Sequence, residues 1–130
     1  MSYDAVVDSY AWIEYFKGSE SGRRAEKYIE SGNCATPTIV LAELSDKYNR
    51  EGWKFWEEDL EFILAKTKIV DLTKEIAIEA GETKKKMRRS HPNFGLADAI
   101  IYETAKSENA PVLTGDEHFK GVENVIYIKG

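Results

Sequence analysis

Four acidic side chains, Asp8, Glu43, Asp98 and Asp116, stand where a solvated surface would not ordinarily place them. Asp8 closes the strand-like run 3–8, and Asp116 ends a second such run, 111–116. Glu43 sits in the apolar helical stretch 38–44, with Val40 and Ile39 three and four positions before it on the same face. Asp98 lies in 96–101 with Phe94, Gly95, Ile101 and Tyr102 three and four positions away, and aspartate is a poor helix former. Carboxylates in apolar settings must be paired, hydrogen-bonded or bound to a cation, because isolated buried charge is costly. Drawn together, the four would make a site for a hard divalent metal. Without the metal, at least one should titrate high because like charges crowd it.

Each acid has a plainer reading. Asp8 could cap the helix that follows it, and Asp116 the short turn through Glu117, His118 and Phe119. Glu14, beside Lys17 and Gly18, reads as a solvated surface residue. The basic run Lys84, Lys85, Lys86, Arg88 and Arg89 would suit a helix end that complements the dipole. Its position just upstream of the Asp98 helix would equally let it hold a phosphate backbone. His91 and His118 read as exposed, and Cys34 as a small buried strand residue.

The elements that must position these acids alternate between strand and helix. Strands are expected at 3–7, 33–35, 67–72, 110–114 and 125–128. Helices are expected from Ser9 to a break at Gly18, from about 20 to 29, from Pro37 to about Arg50, and from Trp53 to Leu64. A long helix with a basic end follows Thr73, and another runs from Gly95 to about 109. Thr36 is a plausible N-cap with Pro37 in the first turn, and Trp53, Trp56, Leu60 and Leu64 form one apolar stripe. Such alternation implies an α/β fold with a parallel sheet and right-handed crossovers. Ligands in these folds bind beyond the carboxyl ends of the strands, where the strand order switches. Asp8 and Asp116 both lie just past such ends.

The 130 residues make one expected domain, 1–130, and 42% hydrophobic content suffices for a core without staples. One cysteine and two histidines allow neither an intrachain disulfide nor an ordinary zinc site. No run resembles a signal peptide or approaches the ~20 apolar residues of a membrane span, so the expected compartment is reducing and cytoplasmic. A net charge of −5, from 18 basic and 23 acidic residues, argues against a protein that grips nucleic acid by overall positive potential. It does not exclude a nucleic-acid enzyme, because metal-binding acids contribute to the total.

Taken in order, Val6-Val7-Asp8-Ser9, Thr36-Pro37 with Leu41-Ala42-Glu43-Leu44, Gly95-Leu96-Ala97-Asp98-Ala99, and Val112-Leu113-Thr114-Gly115-Asp116 with Phe119 span essentially the whole chain. In this the chain resembles the PIN-domain nucleases, and within them the VapC-type toxins of VapBC toxin–antitoxin pairs. The resemblance implies a three-layer α/β/α sandwich on a five-stranded parallel sheet of order 3-2-1-4-5. It implies Mg²⁺ or Mn²⁺ at the acidic cluster and metal-dependent endoribonuclease activity. Metal ligation carries onto Asp8 and Asp98, with Glu43 and Asp116 completing the catalytic set and Thr114 supporting it through its hydroxyl. A homodimer and a VapB-like antitoxin that blocks the site with a peptide tail are the implied partners. The chain departs from many relatives in carrying His118 where they have a second acid, two positions after Asp116.

Rival readings include a housekeeping RNA-processing nuclease of the same family and a non-catalytic Mg²⁺-binding signalling module. The latter would want a lysine near the late strand ends, where Lys120 is poorly placed. A flap-type DNA nuclease would need more chain to clamp a duplex. A phosphatase or dehalogenase would need an Asp-x-Asp setting that Asp8-Ser9-Tyr10 does not offer.

Overall fold

The computed structural model describes residues 2–130. Within them, strands β1 (Ala5–Val7), β2 (Cys34–Pro37), β3 (Lys68–Val70), β4 (Val112–Thr114) and β5 (Val125–Tyr127) form one sheet in the order β3-β2-β1-β4-β5. Every pairing is parallel. Helices α1 (Ser9–Lys17), α2 (Glu20–Glu30), α3 (Thr38–Glu51), α4 (Trp56–Lys66), α5 (Lys74–Met87) and α6 (Leu96–Ser107) complete the expected α/β/α sandwich.

A sheet covered on both faces needs central strands that are apolar throughout. Ala5, Val6 and Val7 of β1 and Val112 and Leu113 of β4 accordingly expose no surface at all. The chain leaves β1 toward β2 and β3, then crosses back to add β4 and β5 on the other side. The order therefore switches between β1 and β4, whose pairing of Val7 with Leu113 brings their carboxyl ends level. Asp8 and the turn that carries Asp116 leave the sheet at this junction.

Buried Trp12 anchors α1 to the sheet through a hydroxyl relay. Its Nε1 donates to Thr36 Oγ1 at 3.2 Å, Thr36 and Thr67 share a 2.8 Å hydroxyl contact, and Thr67 donates to the Ile63 carbonyl at 3.0 Å. Every polar atom in the relay is satisfied, as a buried network requires. Thr36 is thus a strand residue inside the core and not a helix cap. β2 continues through Pro37, which takes the N-cap position of α3 with no side-chain bond.

The fourth helix also starts later than its aromatic spacing suggests. Trp53 lies ahead of it, and Phe55 occupies its N-cap in the left-handed region at φ 71°. Starting at Trp56, the helix buries Ile63 and packs Trp56 and Phe62 against the core, while Leu64 is left 50% exposed. Trp53 instead packs edge-on against Tyr48 at 5.4 Å between ring centres.

Candidate active site

Asp8 follows β1 directly and has extended backbone, with φ −80° and ψ 161°. Its carboxylate does not cap α1. Instead Oδ2 accepts a 2.6 Å hydrogen bond from Thr114 Oγ1 at the end of β4, and the side chain is almost wholly buried. The same Thr114 oxygen accepts the Asp116 backbone N–H at 3.0 Å. Asp116 does cap its turn, with Oδ1 accepting the His118 N–H at 2.8 Å.

Asp98 stands in the first turn of α6. Its Oδ2 accepts the Gly95 N–H at 2.7 Å, which closes the helix entry and explains how a poor helix former is tolerated there. The same oxygen lies 2.9 Å from His118 Nδ1, and Asp116 Oδ1 lies 3.7 Å from that nitrogen. His118, expected to be merely exposed, therefore bridges two of the four acids, and they favour its protonated form. The only sequence signal was its place two positions after Asp116 on a one-turn helix. Across 20 residues, spacing gives no hint of the contact with Asp98.

Glu43 projects from α3, and its Oε1 is buried without a hydrogen-bond partner among the described residues. Burial pushes the Glu43 carboxyl up to about 7, the charges of Asp8, Asp98 and Asp116 add to the rise, and the Ser9 hydroxyl opposes it. Asp8 is raised to about 6, again chiefly by burial, with the Thr114 hydrogen bond pulling down and Asp116 and Asp98 pushing up. Two carboxyls thus titrate high, and each senses Asp98 and Asp116. That mutual influence makes the four acids one electrostatic cluster. Burial disfavours the charged form of His118, but the hydrogen bond to Asp98 and the charges of Asp116, Asp98 and Asp8 raise it overall.

Among the described residues, no three His, Cys, Asp or Glu side chains form a ready-made cage for a metal ion. Mg²⁺ does not require one, since it keeps several waters and binds through one or two carboxylates. The donor set fits that chemistry. All four acids offer oxygen, and Thr114, Gly95 and the His118 N–H hold Asp8, Asp98 and Asp116 by one oxygen each. Among the described residues the second oxygen of Asp98 and of Asp116 accepts no hydrogen bond, and Asp8 Oδ1 has a long 3.5 Å contact from Ser9 Oγ.

The basic run is not drawn into the cluster. Lys86 pairs with Glu82 at 3.4 Å along α5, while Arg88 Nε donates to the Phe94 carbonyl at 2.8 Å. Arg88 thereby secures the turn that leads into Asp98. Lys85 and Arg89 are exposed and Lys84 is half-buried, and none of the three makes an ion pair among the described residues.

The model of the PIN domain matches residues 5–125. The chain belongs to the PIN domain family. No curated protein sequence matches it. Among solved structures, this PIN domain is similar to a chain of a toxin–antitoxin complex from Klebsiella pneumoniae, with 21% identity over 96% of this chain and 98% of that one and a TM-score of 0.70. It is similar to a chain of VapBC2 from Rickettsia felis, bound to a DNA fragment of its promoter, with 24% identity, 95% and 96% coverage and a TM-score of 0.68. A third likeness is to VapC20 of Mycobacterium tuberculosis, a toxin that cleaves the sarcin-ricin loop, with 16% identity, 93% and 96% coverage and a TM-score of 0.70. At these identities the three likenesses establish the fold. No helix among the described residues is long and apolar enough to cross a membrane.

Proposed function

We propose that this PIN domain is a Mg²⁺- or Mn²⁺-dependent endoribonuclease and the toxin of a type II toxin–antitoxin pair. The observation that carries the reading is the cluster of Asp8, Glu43, Asp98 and Asp116 at the strand-order switch. Its acids are electrostatically coupled, and one buried carboxylate oxygen lacks a partner among the described residues. In this reading Asp8 and Asp98 are the metal ligands, and Thr114 fixes the rotamer of Asp8 through its 2.6 Å hydrogen bond. When bound, the cation supplies Lewis acidity toward the scissile phosphate and lowers the pKa of water.

Glu43, held near neutrality at about 7, is suited to orient the attacking water and accept its proton. Asp116 is the alternative water-orienting group. It keeps one carboxylate oxygen free while its Oδ1 secures the turn that carries His118. Burial around Asp8 limits competing water at the reacting centre. Lys84, Lys85, Lys86 and Arg89 would hold distal phosphates of the RNA, with Arg88 acting through the turn that it ties to Phe94.

The toxin role rests on likeness to chains that themselves sit in toxin–antitoxin complexes. It carries a VapB-like antitoxin as partner and a homodimer as assembly. In this reading the protein acts in the cytoplasm.

The test is cleavage of total cellular RNA with Mn²⁺ or Mg²⁺, mapping new ends for the wild type and for Asp98→Asn. The asparagine retains an oxygen for the Gly95 N–H, so the fold is expected to survive. Discrete metal-dependent ends that vanish in the variant support the assignment. Equal cleavage by both proteins overturns the site.

A further inference from the structure

Beside the acidic cluster lies a cleft of about 660 Å³, walled by Tyr10, His91, Asn93, Asp116, His118 and Lys129 among others. That volume is within the roughly 300–1,000 Å³ typical of sites for small organic groups. The cleft shares Asp116 and His118 with the acid cluster, so its occupant would adjoin the reacting centre.

The cleft is shaped by a close approach that only glycine allows. A Cβ on Gly115 would overlap Tyr10 Cε1 and sit 3.0 Å from Lys129 Cβ. Its absence lets the Tyr10 ring, from the first turn of α1, and the stem of Lys129, beyond β5, converge over the end of β4.

His91 also lines the cleft and is fixed at both nitrogens. Nδ1 meets Ser90 Oγ at 2.9 Å, and Nε2 meets the Lys120 carbonyl at 3.1 Å. With both nitrogens committed, what the ring can contribute to an occupant is its π surface and not its acid–base chemistry. Lys129 makes only a long, exposed 3.9 Å ion pair with Glu117, a weak interaction that an incoming anion can displace.

Two aromatic rings, a loosely paired ammonium and a cleft of this volume match an unpaired nucleotide, whose base stacks on flat side chains while cations meet its phosphate. We propose that this cleft binds one nucleotide of single-stranded RNA next to the scissile phosphate, its base against Tyr10 and His91 and its phosphate on Lys129. The inference rests on the nuclease reading for the neighbouring acids. Asp116 and Glu117 also line the cleft, so Lys129 and Lys120 supply the positive charge that offsets them.

The test is binding in Ca²⁺ of a fluorescein-labelled uridine decamer, followed by anisotropy, with the same oligonucleotide carrying 4-thiouridine for photo-crosslinking. Expected results are a roughly tenfold or greater loss of affinity in Tyr10→Ala, retention in Tyr10→Phe, and a shallower salt dependence in Lys129→Ala. Crosslinks should map to Tyr10 or His91. No binding by the wild type, unchanged affinity in Tyr10→Ala, or crosslinks confined to other segments would each overturn the proposal. Duplex RNA bound as tightly as the single strand would also overturn it, because a paired base cannot enter the cleft. A DNA decamer bound equally well would remove RNA as the ligand. Metal-dependent cleavage by the wild type is scored separately, so loss of this site and loss of the nuclease reading remain distinguishable.

Discussion

Thr114 donates its hydroxyl to Asp8 Oδ2 at 2.6 Å across 106 positions of the chain, and accepts the Asp116 N–H at 3.0 Å. One side chain thus joins the ends of β1 and β4 and orients two of the four acids. Thr114→Val would leave the Asp116 N–H without its acceptor and remove the interaction that favours ionised Asp8. The expected loss is about 2 kcal/mol of stability, read from urea denaturation. Thr114→Ser should lose much less. If Thr114→Val and Thr114→Ser unfold together at the wild-type midpoint, the hydroxyl holds nothing.

Asp8 and Glu43 bind their protons more tightly in the folded chain than their ordinary values of 3.8 and 4.5 allow. Their contribution to stability is therefore fully present below about pH 4 and is lost as pH rises through about 6 at Asp8 and about 7 at Glu43. For Asp8 the shift corresponds to something on the order of 3 kcal/mol. In EDTA, Asp8→Asn should gain stability relative to wild type between pH 4 and pH 8, by roughly that amount. Denaturation midpoints of both proteins across this range check it. A difference that stays flat with pH would mean Asp8 is not strained by its burial.

Metal should restore what ionisation removes. At about a hundred times its dissociation constant, Mn²⁺ should stabilise the wild type by about 2.7 kcal/mol. Glu43→Gln relieves the buried unpartnered oxygen of its charge, so its metal-free melting temperature at pH 8 should exceed that of wild type. Its cleavage of RNA should fall even where the Mn²⁺-induced rise in melting temperature persists. Undiminished cleavage would remove Glu43 from the reaction.

The sheet order was expected only through the resemblance to the PIN-domain nucleases, whereas the placement of Asp8 and Asp116 was legible from local signals: apolar runs that end in an acid. Asp98 was legible because its apolar neighbours made solvation implausible. The hydroxyl of Thr36 was not, since the same residue caps a helix or joins the Trp12–Thr67 relay according to where β2 stops. Nor was the start of α4, which depends on Phe55 adopting a left-handed backbone that no apolar spacing marks. His118 escaped for a third reason. Its role depends on a distance between the turn after β4 and the first turn of α6, and periodicity within an element carries no information about distances between elements.

His118 offers the last prediction. Its Nδ1 lies 2.9 Å from Asp98 and 3.7 Å from Asp116, and against the effect of burial those carboxylates raise its pKa, so when protonated it is a cation within a cluster that otherwise repels itself. His118→Asp replaces that cation with a further acid. The metal-free protein should melt at a lower temperature, because a further carboxylate joins Asp8, Glu43, Asp98 and Asp116. Mn²⁺ should bind more tightly in calorimetric titration, because the added oxygen donor and charge favour a hard cation. His118→Asn separates the two effects, since it removes the cation without adding a charge and should lower the melting temperature less. Weaker Mn²⁺ binding by His118→Asp than by wild type would show that the imidazole helps to hold the ion and does not merely stand in for its charge.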